Sequence, residues 1–343
     1  MPVYGVRDLR QIQVCKQANC ATAGTVAARL VGRCGIELDR GRVLPKEATG
    51  VTASNIVDRL YDPYTMGQGP LTPGDEGATF EQICWYIGTA VKGGVTGGVV
   101  GPQGEYTWTF APTHTAIDAP DYLHIIYGDN AAQWEGTCCF GRQLVISGAF
   151  QDAWKLEADM VCRDWDNTGI SFETIAYPAT LTTILGQLTA FYLDTTCQFG
   201  AAPTVRTNSL IDWKLTIPGF HPKFFQDGAL YYTTSGMASR ALLFEWTMEF
   251  DDELAKAIVW EAFALGTPIY VRLRNTGPLI GGAVYYRVTI DMCLQPIKAT
   301  PLDERDGNDI IKFTAETVYD VACVTVPEWE IEVINTLAVL NAC

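Results

Sequence analysis

The sequence predicts a mainly β chain with two flanking helices: two tandem two-sheet β domains, each covered by one α-helix, plus a long loop and a C-terminal arm. Three observations carry that expectation. Segments in which apolar and polar residues alternate dominate the 343 residues. Two segments, one in each half, have helical spacing instead. A short apolar strand with a glycine turn, a spacer and an alternating strand ending in acid occurs at 142–164 and again at 208–252, and duplicated β units point to related domains. At about 150 residues per domain the length suits two, with divisions expected at 1–170, 171–325 and 326–343.

In chain order, residues 39–75 are turn-forming and longer than an ordinary connection. Val57, Leu60, Tyr61, Tyr64 and Met66 make this loop too apolar for a disordered linker, so it packs on a neighbour or on its own domain. Residues 79–91 read as the first helix, with Thr79 and Gln82 at capping-box spacing and Phe80, Ile83, Cys84 and Ile87 on one face. The glycine-rich run from Gly93 to Gly104 lacks a Gly-Lys-Ser/Thr ending and precedes a strand, which makes it a flexible connection and not a phosphate loop. Trp154 to Cys162 alternates, setting Lys155, Glu157 and Asp159 against Trp154, Leu156, Ala158 and Met160. Leu242 to Phe250 repeats the pattern with Glu245 and Glu249 on its polar side.

The second helix is expected from Asp251 as N-cap through Leu254, Ile258, Ala262 and Leu265 inward, to Gly266 as its stop. Three alternating strands follow, with Arg272 and Arg274, then Arg287 and Asp291, then Lys312 and Glu316 on their wet sides. Asp306-Gly307-Asn308 supplies a hairpin turn before the last of them. From Val326 to Ile334 the chain alternates once more, as an arm that adds to another subunit's sheet edge or as a last strand of its own domain.

Composition excludes several function classes. With 39 acidic against 24 basic residues the formal charge is −15, opposite to what tight phosphate neutralisation requires. The beginning of the sequence shows no basic region followed by an apolar run, so synthesis in a cytosol is expected, and no stretch reaches the length that spans a bilayer. The eleven cysteines form no C-x-x-C unit and are read as small buried hydrophobes in a reducing compartment, with no metal site. A calcium loop at 303–314 fails at its third, fifth and twelfth positions. No nucleophile elbow is present, and carboxylate pairs at even spacing lie opposite indoles on their strands, so no catalytic site is expected.

The order of the segments resembles the major tail tube proteins of long, flexible-tailed bacteriophages. The residues that carry the likeness are GTVAARL, ATFEQICWYIGTAV, YTWTF, LHIIYGDN and LVISGAFQDAWKLEADMVCRD in the first half. In the second they are LTIPG, FEWTMEFDDELAKAIVWEAFALGTPIYVRL, YYRVTIDMCL and DGNDIIKFTAETVYD. Two copies in one chain resemble the tandem-domain form, whose trimers imitate a six-fold ring. The resemblance implies β-sandwich domains with a flanking helix, rings that close sheet to sheet, and stacking into a tube through which double-stranded DNA passes without specific binding. It implies further copies, a tape measure protein and other tail proteins as partners, assembly in the host cytoplasm, residence in the virion tail, no cofactor and no membrane insertion.

Such an assembly needs a wet face for the bore, and the candidates are Lys155, Glu157, Asp159, Glu245, Glu249, Arg287, Asp291, Lys312 and Glu316, with an acidic excess. Ring-to-ring contacts are expected from Val57, Leu60, Tyr61, Tyr64 and Met66 and from Trp329, Ile331 and Val333. A tail terminator or baseplate ring protein, a capsid decoration protein, and a carbohydrate-binding or glycosidase β protein are the other readings.

Overall fold

The computed structural model describes residues 9–18, 20, 24–35, 37–39, 66–73, 77–99, 101, 103–178, 180–199, 203–225, 232, 234–237, 241–250, 252–305, 307–323 and 325–343. The first half contains β1 (Gln11–Gln17), β2 (Ala28–Leu30), β3 (Gly32–Cys34), β4 (Glu37–Asp39), β5 (Met66–Pro73), α1 (Ile83–Ala90), β6 (Gly98–Val99), β7 (Tyr106–Phe110), β8 (Tyr122–Gly128), β9 (Gln133–Ala149), β10 (Lys155–Cys162) and β11 (Asp164–Asp166). The second contains β12 (Thr189–Asp194), β13 (Val205–Arg206), β14 (Leu210–Pro218), β15 (Phe220–Lys223), β16 (Thr234–Met237), β17 (Leu243–Glu249), α2 (Glu261–Leu265), β18 (Ile269–Gly281), β19 (Val284–Arg305), β20 (Asn308–Thr317) and β21 (Trp329–Asn335). The chain is mainly β, as its alternation predicts. Among the described residues nineteen strands join one hydrogen-bonded network, and β15 with β16 stands apart.

The pairing order repeats. In the first half β1 pairs β2 and β8, β3 pairs β5, β5 pairs β10, and β9 pairs both β8 and β10. In the second, β12 pairs β13 and β18, β14 pairs β17, β17 pairs β20, and β19 pairs both β18 and β20. Every one of these pairs is antiparallel. The repeat therefore relates β9 and β10 to β19 and β20, where Trp154-Lys-Leu-Glu-Ala-Asp159 matches Ile311-Lys-Phe-Thr-Ala-Glu316. Residues 142–164 and 208–252, the copies proposed from sequence, are instead spatial neighbours: β9 pairs β14 from Ala149↔Asp212 to Gln143↔Pro218.

Length makes β9 and β19 the frame. The first part of β9 pairs β8 and β11, while its later part pairs β10 and β14. Likewise, β19 pairs β18 and β21 up to Leu294 and then β20 as far as Arg305. One sheet therefore runs β3/β4, β5, β10, β9, β14, β17, β20, β19 through both halves.

Its inner side carries a row of aromatic rings, Trp154–Trp213 at 4.9 Å, Trp213–Phe244 at 6.3 Å, Phe244–Trp246 at 5.0 Å and Trp246–Phe313 at 5.2 Å. Such contacts each add about 0.5–1.5 kcal/mol beyond burial, and this row ties β10 to the strands of the other half.

Both helices differ from their expected form. Thr79 is extended and bridges Thr183, so the capping box does not form; α1 begins at Ile83 with no side-chain cap. All eight residues of α1 are buried, which makes it an enclosed helix and not an amphipathic cover. It comes close to β9 because Gly141 has no side chain, a Cβ there standing 2.5 Å from that of Ala90. Residues Asp252–Trp260 are π-helical before α2, and Leu265, expected inward, is 73% exposed. Gly266 does end the helix, at φ 66°; Asp251 lies outside the described residues. The glycine-rich segment is more than a connection, since β6 pairs β7.

The expected C-terminal arm is an interior strand. Register places β21 between β19 and β7, with Ile331 opposite both Ile290 and Phe110 and Val333 opposite Val288 and Trp108. Trp329, Ile331 and Val333 are buried within the chain, so their side chains do not form the contact surface expected of them. The loop is also shorter than expected at both ends, because β4 reaches Asp39 and β5 starts at Met66. Val57, Leu60, Tyr61 and Tyr64 lie outside the described residues, as does the side chain of Met66.

Candidate functional site

Strand register assembles the candidate face. Lys155 stands opposite Ser147, Ser147 opposite Lys214, Lys214 opposite Glu245, Glu245 opposite Thr314 and Thr314 opposite Lys298. The next row on the same face runs from Glu157 through Val145, Thr216 and Leu243 to Glu316. Successive residues alternate sides, so Asp159, Glu249 and Lys312 belong to this face too. Their apolar neighbours Leu156, Phe244, Trp246 and Phe313 are buried beneath it. The indoles of Trp154, Trp213 and Trp246 are in the core and not beside the carboxylates, unlike a sugar-cleaving site.

The face is hollow. A groove of about 450 Å³ is bounded by Lys155, Asp212, Lys214, Glu245, Lys298 and Lys312. Arg305 on β19 reaches Asp212 on β14, three strands away in the sheet. At about 4.8 Å per strand a flat sheet would hold their backbones about 14 Å apart, so this pair requires the sheet to curl toward its charged side.

Charge on the groove is mixed, with more cations than the expected set of residues contained. Lys214, Lys298, Arg305 and Arg142 join it unforeseen, since none stood on a strand recognised by its alternation. Arg142 pairs Asp159 at 2.8 Å, Lys155 pairs Asp152 at 2.7 Å and Lys214 pairs Glu245 at 3.7 Å. Lys312 bonds Asp303 and holds its carboxyl below the ordinary value. Glu157, Glu249 and Glu316 have no ion-pair partner among the described residues, so the uncompensated negative charge is theirs.

Two predicted lining residues fall elsewhere. Asp291 is buried and takes a two-pronged bond from Arg272, with both contacts at 2.6 Å. Arg272 also donates to the Phe199 carbonyl at 2.9 Å and lies over the Phe199 ring, so this segment covers the pair. Arg287 is half-buried against Glu332 at 2.6 Å. The cause is the passage of β19 from one sheet to the other. Residues before Leu294 belong to the sheet of β18 and β21, and alternation within the strand carries no record of that switch. Beside them Glu330 is pushed up to about 7, by burial first and then by the carboxylates of Asp291 and Glu332.

The cysteines also depart from expectation. Eight pair, as Cys15–Cys343, Cys20–Cys138, Cys139–Cys162 and Cys197–Cys323, and Cys34, Cys84 and Cys293 remain buried thiols. Cys15, Cys343 and His124 together place three possible metal-ligand atoms within 4.8 Å of one another. No helix among the described residues is long and apolar enough to cross a membrane.

No protein-family model matches this chain, and no curated protein matches its sequence.

Proposed function

We propose that this chain is a structural subunit that joins copies of itself edge to edge into a ring, the rings stacking into a tube of the phage tail type through which DNA passes. The observation that carries this reading is the internal seam between β9 and β14. It joins two units of the same pairing order head to tail. The equivalent edge of the second unit, β19 from Gln295 to Arg305, and the outer edge of β3 and β4 have no strand partner among the described residues. A heterologous contact repeats until rotation closes it, and unpaired edges left open are templates for pairing. Two units per chain make three chains equivalent to a six-membered ring.

The curled charged face would then line the bore. Five ion-paired cations, with Lys298 beside three unpaired acids, leave little free positive charge to neutralise phosphates. Further copies, a tape measure protein and other tail proteins are the partners on this reading, with assembly in the host cytoplasm and residence in the virion tail. No catalytic step is assigned.

Negative-stain microscopy of the concentrated protein tests it. Stacked rings with a hollow axis are the expected outcome. Single rings that never stack would turn the reading to a terminator or baseplate ring, and persistent monomers would overturn it.

A further inference from the structure

Cys15 on β1 stands directly across from His124 on β8, with Sγ and Nδ1 3.8 Å apart and both side chains buried. Cys343 arrives from the other end of the sequence. The Lys16 amide donates to the Asn341 carbonyl at 2.7 Å, and the Cys343 amide donates to the Lys16 carbonyl at 3.0 Å. Position 24 must be glycine for that approach, because a Cβ there would lie 2.0 Å from the Cβ of Cys343. On the far side of the imidazole, Nε2 is 2.5 Å from Glu135 Oε1. The carboxylate accepts the Nε2 proton, which leaves the Nδ1 lone pair directed at the sulfur.

We propose that these groups are a metal site as well as a disulfide: when the Cys15–Cys343 bond is reduced, the two thiolates and His124 Nδ1 bind a soft divalent cation such as zinc. A water completes the tetrahedron. Reduction of the bond takes two electrons from a phosphine, which becomes its oxide, while one water supplies the oxide's oxygen and the two protons of the new thiols. Binding the cation then releases the two thiol protons to solvent. Disulfide and metal exclude each other, since each uses both sulfurs.

The geometry is close to formed. Zn–S of about 2.3 Å and Zn–N of about 2.0 Å in a tetrahedron put sulfur and nitrogen roughly 3.6 Å apart, near the 3.8 Å between Cys15 and His124. Only the Cys343 sulfur has to withdraw, to about 3.8 Å from its partner, and Cys343 is exposed. The two Cα atoms are 5.1 Å apart. Glu135 supplies the carboxylate of a carboxylate–histidine–metal relay and fixes the orientation of the ring. In either redox state the last residues are fastened to β1. The inference stands independently of tube assembly.

The test uses the full chain, reduced with a phosphine and titrated with Co²⁺ without oxygen. One tight equivalent with thiolate-to-cobalt charge-transfer and tetrahedral d–d bands is expected, bleached by Zn²⁺, and the oxidised protein should give none. His124→Gln and Cys343→Ser should each abolish the bands, and Glu135→Gln should weaken binding about 10- to 100-fold. Cys343→Ser alters an exposed side chain, so it keeps the test valid if His124→Gln misfolds. Reduced wild type without these bands, or Cys343→Ser binding cobalt as wild type does, would overturn the proposal.

Discussion

Single residues fasten distant parts of the fold. Asn335, fully buried, donates from Nδ2 to the Phe80 carbonyl at 2.8 Å and accepts from the Leu337 amide at 3.0 Å. It thereby ties β21 to the segment before α1. Asn335→Leu orphans both backbone groups, and at about 1–3 kcal/mol per buried group the expected loss is about 2–6 kcal/mol. Urea unfolding measures it; an unchanged midpoint would mean that water replaces the bonds. Glu330 works in the other direction. Its carboxyl is raised to about 7 in the folded chain, so folding favours its protonated form. That contribution is complete below the ordinary value of 4.5 and is lost as pH climbs through 7. Glu330→Gln should therefore match wild type near pH 4 and exceed its stability above pH 7 by about 2 kcal/mol, at 1.36 kcal/mol per pKa unit discounted for partial exposure. A difference independent of pH would assign the effect to packing. Neither residue could be singled out from sequence, because a buried polar group in a strand has the same letter as an exposed one.

Alternation within a strand separates a wet side from a dry one. It identified the polar sides of β10, β17 and β20, and Lys155, Glu157, Glu249, Lys312 and Glu316 are exposed there, with Asp159 and Glu245 half-exposed. It failed for Arg287 and Asp291, since β19 changes sheets partway along and the segment around Phe199 shields the first part. It failed again for α1, where the helical spacing is real but every side is covered. Electrostatics along the groove give the prediction at this scale. Changing Glu157, Glu249 and Glu316 together to lysine converts the unpaired acids into bases on one continuous face. The variant should bind duplex DNA where wild type does not, with log affinity falling against log salt by about 0.9 per phosphate neutralised. Fluorescence anisotropy across a salt series measures this. Equal binding by both proteins would mean that the face does not meet DNA.

Across the whole molecule two seams join the halves, β9 with β14 in the curled sheet and β21 between β19 and β7 in the other. Unfolding should therefore be a single transition, without one half melting first. The open edge of β19 has Ile297 exposed beside it. If that edge pairs with the next copy, Ile297→Glu should leave a folded chain with unchanged circular dichroism that stays monomeric in analytical ultracentrifugation at concentrations where wild type assembles. Assembly as in wild type would put the contact elsewhere.

Order and periodicity along the sequence determined the mainly β class, the two helical segments, the glycine that ends α2 and the polar sides of individual strands, because all of these arise from neighbours a few residues apart. Tertiary structure alone decided that Trp329–Asn335 is an interior strand, that β9 and β14 pair, that the pairing order relates β10 to β20, and that Cys15, His124 and Cys343 meet. Those outcomes depend on contacts between residues up to 328 positions apart. Pairing at that range is set by which edges and side-chain surfaces fit one another in space, and local spacing holds no trace of it.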